Sequence, residues 1–206
     1  MADSTSTICN AALSHLGHHG PFITDLTSDA TVEAEVCSIF YDTAVRSVLE
    51  DFPWPFATAR KALSASTEDA RDGWSFVYVL PTNCVSPREI KPSGLTNRTP
   101  RSDERVPFVI EKSDLSDASV VLCDLSTPVL TYTALVSNVE IFSAKFKLAL
   151  GYKLAELIAM PITGSRNKRD EMRRAYMIEL STAERTAMNA QQEDVEPETE
   201  SIRARR

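Results

Sequence analysis

Trp74-Ser-Phe-Val-Tyr-Val-Leu80 is the stretch on which the fold turns. It alternates, it is aromatic and β-branched, and Pro81 ends it, which together predict a strand. Val106–Glu111, Ser119–Leu122 and Val129–Leu135 read as further strands. Between the first two lies Lys91–Arg105, a loop punctuated by Pro92, Gly94 and Pro100 and carrying Lys91, Arg98, Arg101 and Arg105. Loops of that length are usually functional or mobile.

On either side the period changes from two to nearly four. Ile8, Ala12 and Leu16 recur at helical spacing, with Ser4, Thr5 or Ser6 available as N-cap and Gly17 as stop. After the turn-rich link His18–Thr24, Ser28 or Asp29 is placed to cap a longer helix. Its stripe is Val32, Val36, Ile39, Phe40, Ala44, Val48 and Phe52. Phe52-Pro-Trp-Pro-Phe56 ends it, because Pro53 and Pro55 cannot continue a helix and bias their predecessors to extended geometry. Downstream of the strands, Ser143 precedes Phe146, Leu148, Ala149, Leu150, Leu154, Leu157 and Ile158, a nearly all-apolar helix that Pro161 and Gly164 are expected to break. A last helix is predicted from about Arg166 to about Asn189, with Met172, Ala175, Tyr176, Leu180, Ala183 and Ala187 as its stripe. The fold class predicted is therefore α+β, a helical bundle from the N- and C-terminal segments with a small inserted antiparallel β unit. Residues 1–64 and 136–189 form the bundle, 65–135 the β-rich insertion, and 190–206 an extended C-terminal arm without an apolar face, expected to be disordered in isolation.

Composition bounds the function. The 206 residues hold 22 Lys+Arg against 29 Asp+Glu, a formal charge of −7, with 43% hydrophobic residues. These are ordinary globular values. Phe146–Ile162, the longest apolar stretch, is interrupted by Lys147, Lys153 and Glu156, so no membrane span is expected. The N-terminus lacks the basic and apolar regions of a signal peptide. A pI near 5.1 argues against broad binding to a duplex phosphate backbone. The charge is uneven: residues 1–56 hold eight acids and one base, whereas 136–188 hold six acids and nine bases.

No catalytic or cofactor constellation is predicted. Cys9, Cys37, Cys84 and Cys123 form no CxxC pair and read as small buried thiols in a reducing compartment. His15, His18 and His19 lack a carboxylate or cysteine at ligand spacing, so no metal site is expected. Gly164–Arg169 lacks the spacing of a phosphate-binding loop and reads as a helix N-terminus. Acid pairs such as Glu33/Glu35 and Glu50/Asp51 would serve glycoside hydrolysis only if two carboxyls stood ~5–9.5 Å apart in a cleft. Two features stay open. Phe52–Phe56 is either the anchor of a domain junction or an exposed aromatic plug for a partner. The cluster Arg166, Lys168, Arg169, Arg173 and Arg174 is either a solvated helix face or a docking stripe for an acidic surface.

An ordered set of segments resembles one family, the podovirus tail tubular protein A, a head-to-tail adaptor. The set begins with Ile8-Cys-Asn-Ala-Ala-Leu-Ser-His-Leu-Gly17, Phe40-Tyr-Asp-Thr-Ala-Val-Arg46 and Phe52-Pro-Trp-Pro-Phe-Ala57, then Arg60 and Leu63. It continues through Tyr78-Val-Leu-Pro-Thr-Asn-Cys84 with Arg88 and Ile90, and Leu130-Thr-Tyr-Thr133. Phe142-Ser-Ala-Lys-Phe146, Leu154-Ala-Glu-Leu-Ile-Ala159 and Pro161-Ile-Thr-Gly164 complete it. Pro55 departs from the asparagine associated with that position, and 189–206 falls outside the likeness. The resemblance implies a non-enzymatic structural subunit without cofactor, one of about twelve in a ring between portal protein and tail nozzle. It implies a place in the virion tail after assembly in the host cytoplasm, with DNA passing through the lumen. On that reading, Arg166, Lys168, Arg169, Arg173 and Arg174, with Ile202, Arg203, Arg205 and Arg206 of the arm, dock the portal or a neighbouring copy. A tail-associated glycan hydrolase is the alternative.

Overall fold

The computed structural model describes residues 4–20, 22–94 and 106–190. Four helices, α1 (Thr5–His15), α2 (Val32–Asp51), α3 (Ala144–Thr163) and α4 (Arg166–Ala190), flank six strands, so the chain is α+β. Side chains at the helix starts explain where three of them begin. The Ser4, Thr31 and Ser143 hydroxyls accept the backbone N–H of Thr7, Ala34 and Phe146, satisfying donors that a helix start leaves free. The α2 cap is thus Thr31 rather than Ser28 or Asp29, since Asp29 spends its carboxylate on the Thr24 backbone N–H at 2.7 Å. Pro161 does not break α3. It lies in the last turn, where a missing N–H costs one hydrogen bond, and Gly164 in left-handed geometry (φ 65°) ends the helix.

α3 is the centre of the bundle, with α1, α2 and α4 all packed against it. Phe146, Leu150, Leu154 and Ile158 are fully buried there, and each large apolar side chain so buried contributes about 1.5–3 kcal/mol. On α2 the buried residues are Ala34, Cys37, Ala44, Val45, Val48 and Leu49. Val32 and Ile39, expected in its core stripe, are exposed instead. Small residues in the first half of α2 let it approach its neighbours closely, and Val45, Val48 and Leu49 fill the core in the second half, while Val32 and Ile39 are turned outward.

The β region holds two antiparallel three-stranded sheets. The first has the order β1 (Thr58–Ala62), β6 (Pro128–Ala134), β3 (Cys84–Pro92). The second has the order β2 (Phe76–Val79), β5 (Ser119–Cys123), β4 (Val109–Lys112). Ile90, Leu130 and Tyr132 of the first share one core with Tyr78, Val121 and Cys123 of the second, so the sheets pack face to face. β1 lies inside the 1–64 segment expected to belong to the bundle, and β3 takes in Lys91 and Pro92 of the expected loop. Arg98, Arg101 and Arg105 lie outside the described residues.

One cation ties the second sheet to the segment before it. Arg71 pairs with Glu68 at 2.9 Å, with Asp114 at 3.1 Å and with Glu111, and also donates to the Lys112 carbonyl. Glu68 in turn accepts from Ser113 and the Asp114 N–H, bonds that hold its carboxyl below the usual range. Replacing Arg71 with Ala is expected to accelerate amide exchange across 66–79 and 109–119 while leaving α3 protected. Unchanged exchange in those segments would show the clamp to be idle.

Candidate functional site

The basic cluster predicted from sequence lies on the first turns of α4. Ser165 opens α4, its hydroxyl accepting the Lys168 N–H at 3.4 Å, and the first two and a half turns then carry all five bases. Arg166, Arg169, Arg173 and Arg174 are exposed and Lys168 is half-buried. Two of the charges are compensated locally, Lys168 by Glu171 at 3.4 Å and Arg169 by Asp170 at 3.0 Å. Arg174 donates only to the Asp170 carbonyl, and Arg166 and Arg173 form no ion pair among the described residues. Exposed pairs of this kind are worth little and can be exchanged for a partner's. Beyond the cluster the same surface continues with exposed Met177 and Ile178. The arm residues Ile202, Arg203, Arg205 and Arg206 lie outside the described residues.

A second surface escaped the sequence reading. The outer face of α2 presents Val32, Glu35, Ile39, Asp42, Arg46 and Glu50, all exposed. The signal was present in the small-residue series Ala34, Cys37 and Ala44, which marks the opposite face as the packed one. Beside this face an open groove of about 720 Å³ runs between α2 and the segment entering α3, bounded by Leu26, Tyr41, Asp42, Arg46, Val136 and Phe142. Asp42 is the one carboxylate lining it.

The aromatic motif is a junction anchor. Trp54 is 2% exposed. Its indole N–H donates to the Val48 carbonyl at 2.8 Å, capping the end of α2 from inside. The histidines take separate partners: His15 stacks on Tyr152 at 4.2 Å, His18 approaches Glu33 at 3.9 Å, and His19 is exposed. Burial lowers the pKa of His15. Among the described residues no group of three or more His, Cys, Asp or Glu could hold a metal ion. No helix there is long and apolar enough to cross a membrane.

Several acidic protons are held tightly by burial. Cys84 on β3 is pushed from 9.0 up to about 11, and Tyr41 from 10.0 up to about 12. Tyr176 is raised too, by burial and by its hydrogen bond to Asp51 at 2.6 Å. Each group holds its proton longer folded than unfolded, so its contribution is whole below the unfolded value and fades as pH rises through the folded one. The melting temperature is therefore expected to be level from pH 7 to 9 and to fall between pH 9 and 12. A melting temperature unchanged across that upper window would contradict the assignment.

No protein-family model and no curated protein matches this chain.

Proposed function

We propose that this chain is a structural head-to-tail adaptor of a podovirus-like phage. About twelve copies form a ring between portal protein and tail nozzle, in the virion tail, after assembly in the host cytoplasm. DNA passes through the lumen without being held, and the chain does no catalysis. One observation supports this reading best: the segments that resemble tail tubular protein A coincide with the packing centres of the fold. Asn10 of the first segment brackets Ile23 with two hydrogen bonds, at 2.8 and 2.9 Å, and so fixes the loop between α1 and α2. Trp54 and Phe146, from two other segments, meet edge to face at 5.0 Å. Arg88 joins the first sheet to α2 through the Leu49 and Glu50 carbonyls.

The electrostatics suit such a role. A charge of −7 per copy, repeated around an axis, gives an assembly that repels a polyanion instead of gripping it. The arginines of α4 suit an acidic surface of the portal or of a neighbouring copy, since a guanidinium fork binds a carboxylate in a fixed geometry. The hydrolase alternative requires two carboxyls across a cleft, and the described groove has the single carboxylate Asp42.

The direct test is co-sedimentation of the purified chain with portal rings. Binding that weakens with added salt is expected, and a chain that never associates with portal would overturn the proposal. Deleting 190–206 is expected to leave the α+β body folded and to weaken portal docking. Unchanged affinity would remove the arm from the interface.

A further inference from the structure

The outer faces of α2 and α4 match one another in spacing and in charge. Along α2, exposed Ile39, Asp42, Arg46 and Glu50 follow one another at steps of three, four and four residues. Read backwards along α4, exposed Met177, Arg174, Asp170 and Arg166 follow at the same three steps. Such steps keep each set on one line of its helix, over roughly 16 Å. With the helices antiparallel and Ile39 against Met177, Asp42 meets Arg174, Arg46 meets Asp170, and Glu50 meets Arg166. Every charge then faces its opposite, and the two apolar residues, 60% and 58% exposed in the single chain, cover each other. Run parallel from the same Ile39–Met177 contact, Asp42 would face Leu180 and Glu50 would face Met188, and Arg46 alone would meet an opposite charge, Glu184. Asp42, Arg46 and Glu50 form no ion pair among the described residues.

We propose that α2 of one copy docks antiparallel on α4 of a second copy, with Asp42–Arg174, Arg46–Asp170 and Glu50–Arg166 as its charge pairs. The contact joins two different faces of the same chain. It is heterologous and propagates from copy to copy, closing into a ring where the rotation permits. It rests on the ring reading above and names the surfaces that build that ring. The cleft beside α2 lies along the edge of this contact, with Asp42 and Arg46 common to both.

Charge reversal tests this without disturbing the core, since both positions are exposed. Sedimentation velocity of the full chain at low salt is expected to show a concentration-dependent oligomer. Asp42→Arg alone and Arg174→Asp alone are each expected to weaken self-association roughly tenfold or more, by placing like charges face to face. Mixing the two variants in equal amounts restores every pair, because each reversed face meets the other variant's reversed face and each native face meets a native one. The mixture is therefore expected to assemble as the native chain does, with the variants alternating. Circular dichroism that matches the native chain shows that each variant is folded. Variants that self-associate like the native chain, a mixture no better than its components, or a native chain monomeric at every concentration would each overturn the interface. The two proposals fail separately. A native chain that stacks on portal rings but ignores the reversals loses the interface and keeps the adaptor role. A mixture that reassembles but never binds portal keeps the interface and loses the role.

Discussion

Replacing Trp54 with Ala is expected to lower the free energy of unfolding by about 4 kcal/mol. The indole lies where α2, the chain leaving it and α3 converge. It meets Phe52 and Phe146 edge to face, each at 5.0 Å, and Phe56 packs on Phe146 at 5.0 Å. Truncation would leave a void lined by rings that cannot collapse into it, because Pro53 and Pro55 restrict the backbone on both sides. It would also free the Val48 carbonyl, which has the indole N–H as partner at 2.8 Å. Trp54→Phe keeps a ring and loses that bond, so about 1–2 kcal/mol is expected. Urea titrations with unchanged slope would report both losses as shifts in midpoint. An alanine variant within about 1 kcal/mol of the native chain would contradict a junction role and return the motif to an exposed plug.

The second large effect falls on Arg88, which is joined to both halves of the molecule. Its Nε donates to the Thr133 hydroxyl at 3.0 Å, and Nη2 donates to the carbonyls of Leu49 and Glu50 at 3.2 and 2.9 Å. Those carbonyls belong to the last turn of α2, where acceptors lack a helical partner and a cation is favoured by the dipole. Thr133 is fully buried, so removing the guanidinium strands its hydroxyl as well. Arg88→Ala is expected to cost about 2–3 kcal/mol and to loosen β3 and the end of α2 together. Arg88→Lys is expected to recover only part, since one ammonium does not span three acceptors in a planar fork. Hydrogen exchange that rises at both 84–92 and 45–52 would verify the joint. A loss of stability below about 0.5 kcal/mol would show that the sheet and the helix stand independently.

The helices were legible because their apolar residues recur at helical spacing and their ends have hydroxyl caps. Ser143 and Gly164 bound α3 as read, and Arg166 opens α4. Two strands were not legible, for different reasons. β1 is Thr-Ala-Arg-Lys-Ala, an exposed edge strand with no apolar alternation, and pairing with β6 alone makes it a strand. β3 contains Pro87 and Pro92, which argue against a strand in sequence. It occupies the other edge of the sheet, with register shifts at Cys84/Ser86 and Pro87/Glu89, where a missing N–H is tolerated.

Half of the candidate surface was legible. Five bases crowd the first turns of α4, and that density is visible in the sequence. Its counterpart was hidden because Val32 and Ile39 are large and apolar, and such residues are read as core. The backbone approach of α2 is set instead by Ala34, Cys37 and Ala44. Once those small residues face inward, the charged line Asp42, Arg46, Glu50 faces outward, and its match to α4 becomes apparent.

Electron micrographs of the full-length chain mixed with portal rings test the adaptor reading most directly. A second ring stacked coaxially on the portal, with about twelve copies around a shared axis, is expected. Portal rings that gain no density, from a chain shown to be folded by its far-ultraviolet spectrum, would contradict it.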